Sequence, residues 1–435
     1  MAEIQPFRAW RYNAALGIEI DEVTSPLFDV VSEKQRQNLY KNPLNSIHLS
    51  VPRGTAEEAA HTLARWKSEG ILKQDPLPGI YVYYQYFKLP GSEKTYCRKG
   101  IMCHIRTYDW EEKVILRHEN TIPKSVNDRV ELLDKTMCHV SATHGLYTDP
   151  EFRVEAYMDE AIRNPIYETE DYQGVRDVLA VIQDVKVIRE IISLFRDKTI
   201  ILADGHHRYE SSLILKHKLA AANPNDTGKE GYHFHLMYLS NTESDDLRIL
   251  PTHRLIKNVP DFNEEKVLRK LAPYFTIKPV DDPDSIYEII LGKPWTFGLI
   301  FKDQAFKVRL QPEAFLHFSW PFPDQIKRLD LTVMHYFIIE QAFGLSGRTQ
   351  RSSEYLDFDR SFSDCLRQVW TGKCQAALIT QEVSIETVKQ VCASGSTMPQ
   401  KSTYFFPKVI CGFAFSSIRQ DEFAASPFSP FNDAI

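Results

Sequence analysis

Asp204, His206, His207 and Arg208, spaced around Gly205, set a carboxylate, two imidazoles and a guanidinium at one point of the chain, within the run Ala203-Asp204-Gly205-His206-His207-Arg208-Tyr209-Glu210. The apolar run Thr199 to Leu202 stops at this Asp-Gly pair, which reads as a strand ending in a turn. Arg208 to Ala222, with Leu215, Leu219 and Ala222 at apolar positions, reads as the helix that follows. Such a junction offers backbone N–H groups and the positive end of a helix dipole. Imidazoles and a guanidinium placed there favour phosphate or another anion. Asp204 adds a group suited to a metal ion or a proton. The plain alternative is a capped helix with surface histidines.

Two further clusters carry similar chemistry. His118-Glu119-x-Thr121, followed by Lys124, Asp128 and Arg129, suits substrate or metal binding. Equally, Asp128-Arg129 reads as the N-terminal cap of a helix from Val130 to Met137. The His-Glu-x-x-His pattern of zinc proteases is missing its second histidine. Near the far end, Met398-Pro399-Gln400-Lys401-Ser402-Thr403 leads through three aromatic residues to Pro407-Lys408. Its ammonium and two hydroxyls suit phosphate oxygens, although Lys-Ser-Thr is also common loop composition. Ser25 with Asp29, Asn42-Pro43-Leu44-Asn45 and Thr252-His253-Arg254 are weaker candidates, and His48, His233 and His235 read as structural strand histidines.

The elements that must position these groups read as strands mixed with helices. Thr55 with Glu58 forms a capping box ahead of Ala59, Leu63 and Trp66, with Gly70 closing the helix. Tyr81 to Phe87 and Gly100 to Tyr108 read as strands of a hairpin, and Asp184 to Phe195 as a helix leading into the strand before Asp204. The order predicts an α+β (mixed α/β) fold. Neither Gly-x-Gly-x-x-Gly nor a Walker A sequence is present. Lys257 to Asp261 reads as a connector, giving an N-terminal domain of residues 1–258 and a C-terminal α/β domain of residues 259–417 that returns the Lys-Ser-Thr loop to the site. That second domain is expected to hold helices at Glu264 to Ala272, Asp330 to Phe343 and Phe362 to Trp370, and strands at Trp295 to Phe301 and Ala305 to Leu310. Residues 418–435 read as a loosely ordered tail.

A chain of 435 residues with 43% hydrophobic and 25% charged residues is globular in composition and long enough for two cores. A net charge of −6 gives no encouragement to nucleic-acid binding, so small anions are the expected partners. The seven cysteines, an odd number without zinc spacings, read as reduced thiols. With no signal peptide or long apolar run, the expectation is a soluble cytoplasmic protein away from membranes.

Taken in order, these pieces resemble one family. Gln5-Pro6-Phe7-Arg8-Ala9 with Arg11-Tyr12-Asn13, Ser25-Pro26-Leu27-Phe28-Asp29-Val30, His118-Glu119-x-Thr121, Asp128-Arg129, Ala203 to Glu210, Pro251 to Arg254 and Met398-Pro399-x-Lys401-Ser402-Thr403 with Pro407-Lys408 look like the unknown-function domain family 1015 (DUF1015). The likeness runs from residue 4 to about 415. Where the family pattern is Ser-Pro-Pro-Tyr-Asp, this chain has Leu27 and Phe28 and keeps Asp29. The Asp-Gly-His-His-Arg element also resembles the phosphate-binding motif of the superfamily of chromosome-partitioning protein B (ParB) and sulfiredoxin, in which free-serine kinases occur.

The resemblance implies a ParB/sulfiredoxin-like phosphate-binding core and transfer of a phosphoryl group between pyrophosphate, or a nucleotide, and the hydroxyl of L-serine, with Mg²⁺. Phosphoryl transfer asks chiefly for charge neutralisation and in-line positioning. On this reading Gly205, His206, His207 and Arg208 grip one phosphate, and Lys401, Ser402, Thr403 and Lys408 close over another. Asp204 is the expected Mg²⁺ ligand or proton acceptor, with Asp29 and Glu119 competing. His118, Glu119, Thr121, Asp128, Arg129, His253 and Arg254 are expected around the substrate, Arg129 on its carboxylate. The alternatives are a ParB-like nucleotide-binding regulatory module and a phosphatase acting on phosphoserine.

Overall fold

Alternating side chains along the strand Ile80–Lys88 explain the architecture of the first half. Ile80, Val82 and Tyr84 belong to one buried apolar cluster, whereas Tyr81 and Tyr83 belong to another on the opposite face. A strand buried on both faces must lie inside a covered sheet. In the computed structural model, which describes residues 1–171, 173–347, 349–351, 354–399 and 401–423, that sheet is mixed and nine-stranded. Its order is Ile115–Arg117, Ile200–Asp204, Thr143–Tyr147, Phe234–Asn241, Thr95–Arg106, Ile80–Lys88, Arg176–Ile182, Tyr167–Glu170, with Ile4–Gln5 also pairing to Thr95–Arg106.

One face packs Ile80, Val82, Ile101 and Ile105 against Ile188, Ile191 and Phe195 of the helix Val185–Phe195. Asp184 caps this helix, accepting from the N–H groups of Lys186 and Val187 at 2.8 and 3.1 Å. On the other face Tyr81, Tyr83, Met102 and Tyr238 meet Val409, Phe413 and Ala414. The chain therefore returns, after a long excursion, to cover the sheet it started.

By its contacts the chain divides into Met1–Arg248 with Pro407–Ile435, and Ile249–Phe406. The division falls earlier than the connector at Lys257 to Asp261, because the strand His253–Ile256 pairs with Leu356–Asp359 and Ala376–Ile379 of the second unit. That unit is built on a six-stranded sheet, in the order Phe275–Val280, Ala305–Leu310, Thr296–Ile300, Ala376–Ile379, His253–Ile256, Leu356–Asp359. Both units mix helices with largely antiparallel strands, and the class is α+β. Residues 424–435 of the expected tail lie outside the described residues, while Gln420–Phe423 forms a short helix.

Several local expectations need correction. Asp128 and Arg129 do not cap a helix: Pro123, fixed in φ and lacking an N–H, opens it, so they sit inside Pro123–Thr136. His48 lies in the short helix Ile47–Ser50, and His233 in the turn Gly231–His233 just ahead of its strand. The expected helix from Asp330 to Phe343 is α-helical only over Asp330–Val333 and continues as a π-helix over Met334–Ala342. All seven cysteines are free thiols. Among the described residues no helix is long and apolar enough to cross a membrane.

Candidate functional site

The site of the first unit forms where two parallel strands end together. Ile200–Asp204 runs parallel to Ile115–Arg117, with Leu202 opposite Arg117, so Asp204 and His118 emerge at the same edge. Gly205 then turns the chain at φ 89° into the 17-residue helix His206–Ala222, and no side chain caps that helix. A Cβ on Gly205 would stand 2.6 Å from Thr143 Cγ2 and 2.9 Å from Arg208 Nη2, so the turn admits only glycine. The helix begins two residues before the expected start, placing both imidazoles in its first turn.

Asp204 is the centre of the arrangement. Arg208 Nη2 donates to its Oδ2 at 2.8 Å, and Lys408, from the returning segment, donates to its Oδ1. Burial alone would raise its pKa, but Lys408 and Arg208 hold it well below the usual carboxylate range. One carboxylate between two cations leaves a net positive charge beside a helix N-terminus. Arg208 is itself fixed by donating through Nη1 to Ser141 Oγ at 3.1 Å and to the Ala142 carbonyl at 2.5 Å.

The rings of His118 and His206 stand edge to face, 4.9 Å apart. Burial, reinforced by Lys408, lowers His118 to about 4 against the pull of the Leu202 carbonyl and Asp204. Burial, with His118 next to it, carries His206 well below its ordinary value. Both are neutral at pH 7, and among the described residues His206 Nε2 is buried with no hydrogen-bond partner. His207 has a different task. Its Nε2 accepts from the Ile122 N–H at 3.0 Å, pinning the loop that carries Glu119 and Thr121, both half-buried.

Asp29 is exposed on the loop after Ser25, and Ser25 is bridged to Cys411 through both backbone groups, at 3.1 and 2.8 Å. The buried Cys411 thiol is pushed up by burial, pulled back by Arg208 and by hydrogen bonds to Ser141 and Ser25, and raised again by Asp29. Asp29 and Arg208 thus both act electrostatically on the Cys411 thiol. Arg129 is not free to meet a substrate carboxylate. Its Nε and Nη2 donate to Asp128 at 2.8 and 2.5 Å, its Nη1 donates to the Ser50 carbonyl at 2.7 Å, and it lies 4.4 Å over the Phe28 ring. Phe28, without the hydroxyl of the family's tyrosine, gives Arg129 an aromatic bed. A cavity of about 30 Å³, enough for one water, lies among Arg129, His139, Ser141, Arg208 and Ser211.

His253, Arg254, Lys401, Ser402 and Thr403 belong to the second unit. His253 Nδ1 accepts from the Thr380 N–H at 3.3 Å. Arg254, fully buried, donates to His335 Nε2 at 3.2 Å, to the Thr252 carbonyl and to the Lys401 carbonyl at 3.4 Å. It thereby anchors a loop in which Lys401 is exposed with φ 55°, Ser402 Oγ donates to the Pro399 carbonyl at 2.5 Å and Thr403 is half-buried.

The pattern of the family described as "Protein of unknown function (DUF1015)" matches residues 4–332. The chain belongs to the DUF1015 family. No curated protein matches this DUF1015 chain. Among solved structures it is similar to a conserved hypothetical protein from Pyrococcus furiosus, at 11% identity over 74% of this chain and 97% of that one, TM-score 0.37. A free serine kinase in complex with AMP is 10% identical over 74% and 93% of the two chains, TM-score 0.39. SbnI with a C-terminal truncation from Staphylococcus aureus is 12% identical over 74% and 90%, TM-score 0.36. At TM-scores this low, nothing about the reaction of the DUF1015 chain follows from the likeness.

Mg²⁺ at Asp204 does not fit this geometry, since both oxygens already accept from cations that would repel a divalent ion. Among the described residues, three side chains whose ligand atoms lie within 4.8 Å of one another occur at Asp226, Glu230 and His233, in the segment that follows the site helix. Sequence reasoning missed Ser141 and Cys411, His144, whose ring helps hold the Asp204 carboxylate ionised, and the buried polar row Arg98, Gln85 and Asp177. Charged residues in the core phase of apolar strands were the available signal.

Proposed function

We propose that the protein transfers a phosphoryl group from pyrophosphate, or a nucleotide, to the hydroxyl of free L-serine, giving O-phosphoserine. One observation carries the reading: Arg208 and Lys408 share the Asp204 carboxylate beside two buried, neutral imidazoles at an uncapped helix N-terminus. Such a constellation favours a phosphate. The sequence resemblance to serine kinases of the family supplies the acceptor.

In this mechanism Arg208, Lys408 and the first-turn amides neutralise the donor phosphate, with the ring nitrogens of His118 and His206 beside them. Asp204 keeps the two cations apart and aimed, and is too weak a base to take a proton. Asp29, exposed on the loop after Ser25, is the acceptor in this reading. As the serine Oγ–P bond forms, the hydroxyl proton passes to Asp29, the bridging P–O bond of the donor breaks, and its electron pair leaves with the departing phosphate.

The test is an incubation with L-serine and Mg²⁺ plus, separately, pyrophosphate, ADP or ATP, with phosphoserine alone alongside. Formation of O-phosphoserine that is lost in Asp29→Asn is the expected result. Phosphate release from phosphoserine alone would make the protein a phosphatase, and DNA association without turnover would make it a partition-type module.

A further inference from the structure

Far from the strand end, the sheet carries a row of polar side chains in its core. Register places Gln85 between Arg98 on one neighbouring strand and Asp177 on the other. All three are buried, at 0%, 1% and 0% exposure for Gln85, Arg98 and Asp177. Asp177 Oδ1 accepts from the Tyr83 hydroxyl at 2.5 Å and from Gln85 Nε2 at 2.7 Å, while Arg98 donates to Gln85 Oε1. With its oxygen held by Arg98, the Gln85 amide is oriented, and Nε2 also donates to the Lys408 carbonyl at 3.0 Å. Two residues on, the Ile410 N–H donates to the Tyr83 hydroxyl at 3.4 Å.

This arrangement costs the fold something. Among the described residues, Arg98 Nε and Asp177 Oδ2 are buried without hydrogen-bond partners, and an apolar row would avoid that cost. What the row holds is the backbone on both sides of Val409, in the segment whose Lys408 ammonium reaches Asp204. A lysine side chain is flexible and can be aimed only if its backbone is held.

We infer that Asp177, Gln85 and Arg98 are positioning residues for Lys408, holding its backbone at strands well removed, in the sheet order, from Ile200–Asp204 and so setting the ammonium against Asp204. The inference rests on the proposed phosphate role of Lys408 only for its consequence, not for its geometry.

Two measurements test it. In the full chain with reductively ¹³C-methylated lysines, the Lys408 resonance, assigned by its loss in Lys408→Arg, is expected to stand apart from the exposed lysines in wild type and to merge with them in Gln85→Leu and Asp177→Ala. Asp177→Asn, which keeps an acceptor for Tyr83 and Gln85, is expected to restore it. A resonance unchanged in Gln85→Leu overturns the inference whatever the protein's activity. In pyrophosphate titration calorimetry, Gln85→Leu and Lys408→Met are each expected to weaken binding about tenfold, and the double variant no further than Lys408→Met alone. Additive losses would mean that Gln85 acts through general stability, and the positioning role would fall. If wild type binds no pyrophosphate while the Lys408 resonance still moves, the positioning stands and the proposed function falls.

Discussion

At the scale of single residues, the site depends on groups whose charge is set by burial. His118 and His206 are neutral because burial disfavours their charged form, and an anion seated beside them would favour it. Pyrophosphate binding is therefore expected to take up protons and to tighten as pH falls below about 6.5 toward about 4, the value burial gives His118 in the free site. Calorimetry in buffers of different ionisation enthalpy reads the proton count, and an affinity independent of pH would remove the imidazoles from the grip. Gly205→Ala places a Cβ in a left-handed turn and against Thr143 and Arg208. It is expected to cost about 1–3 kcal/mol in urea unfolding and to weaken pyrophosphate binding. The cluster from Asp204 to Arg208 was legible in the sequence because a strand stop and a helix start are local signals. The roles within it were not: Asp204 is a buried counter-ion and His207 a loop clamp, since what each side chain meets comes from elsewhere in the chain.

Among elements, the decisive pairing is between the end of the strand Ile200–Asp204 and the returning segment at Lys408. With both partners of the Lys408–Asp204 pair only 12% exposed, its loss strands part of a buried charge. Lys408→Met is expected to destabilise the first unit by about 3 kcal/mol, the low end for a broken buried pair because Arg208 remains. Urea unfolding measures it, and a neutral result would mean that Asp204 is solvated after all. Helix boundaries set by caps were readable, as at Asp184 and Thr55, whose side chain accepts from the Glu58 N–H at 3.4 Å. The helix Pro123–Thr136 was misread because Pro123 outweighs the capping chemistry of Asp128. The π-helix Met334–Ala342 carries no period that distinguishes it from an α-helix in sequence.

On the scale of the whole molecule, six histidines of the first unit, His104, His118, His139, His144, His206 and His235, are buried with lowered pKa values. In each case the unfolded chain binds the proton more readily, so stability is complete above about pH 6.5 and falls as pH drops toward 4. Asp177, raised to about 7 by burial, has the opposite sign and loses stability as pH rises from 3.8 to 7. Six groups outweigh one, and the urea midpoint is expected to drop steeply between pH 6.5 and 4; a flat profile would mean that the histidines are hydrated. Truncation after Phe406 removes Lys408 and strips Val409, Phe413, Ala414 and Phe415 from two apolar clusters of the first unit. The truncated chain is expected to bind a hydrophobic dye and to lose pyrophosphate binding together.

Composition, the α+β class, the strand and helix that meet at Asp204 and membership of the family were all determined by the order of residues alone. Periodicity, caps and turn residues act over a few positions, so they survive in a linear reading. Tertiary structure decided that Lys408, 204 residues from Asp204, completes the cation pair. It also decided that Arg98, Gln85 and Asp177 form one row. Those contacts follow from strand register and from the chain's return across the sheet. Neither leaves a local mark, because a partner's identity depends on where three strands and a late segment settle against one another.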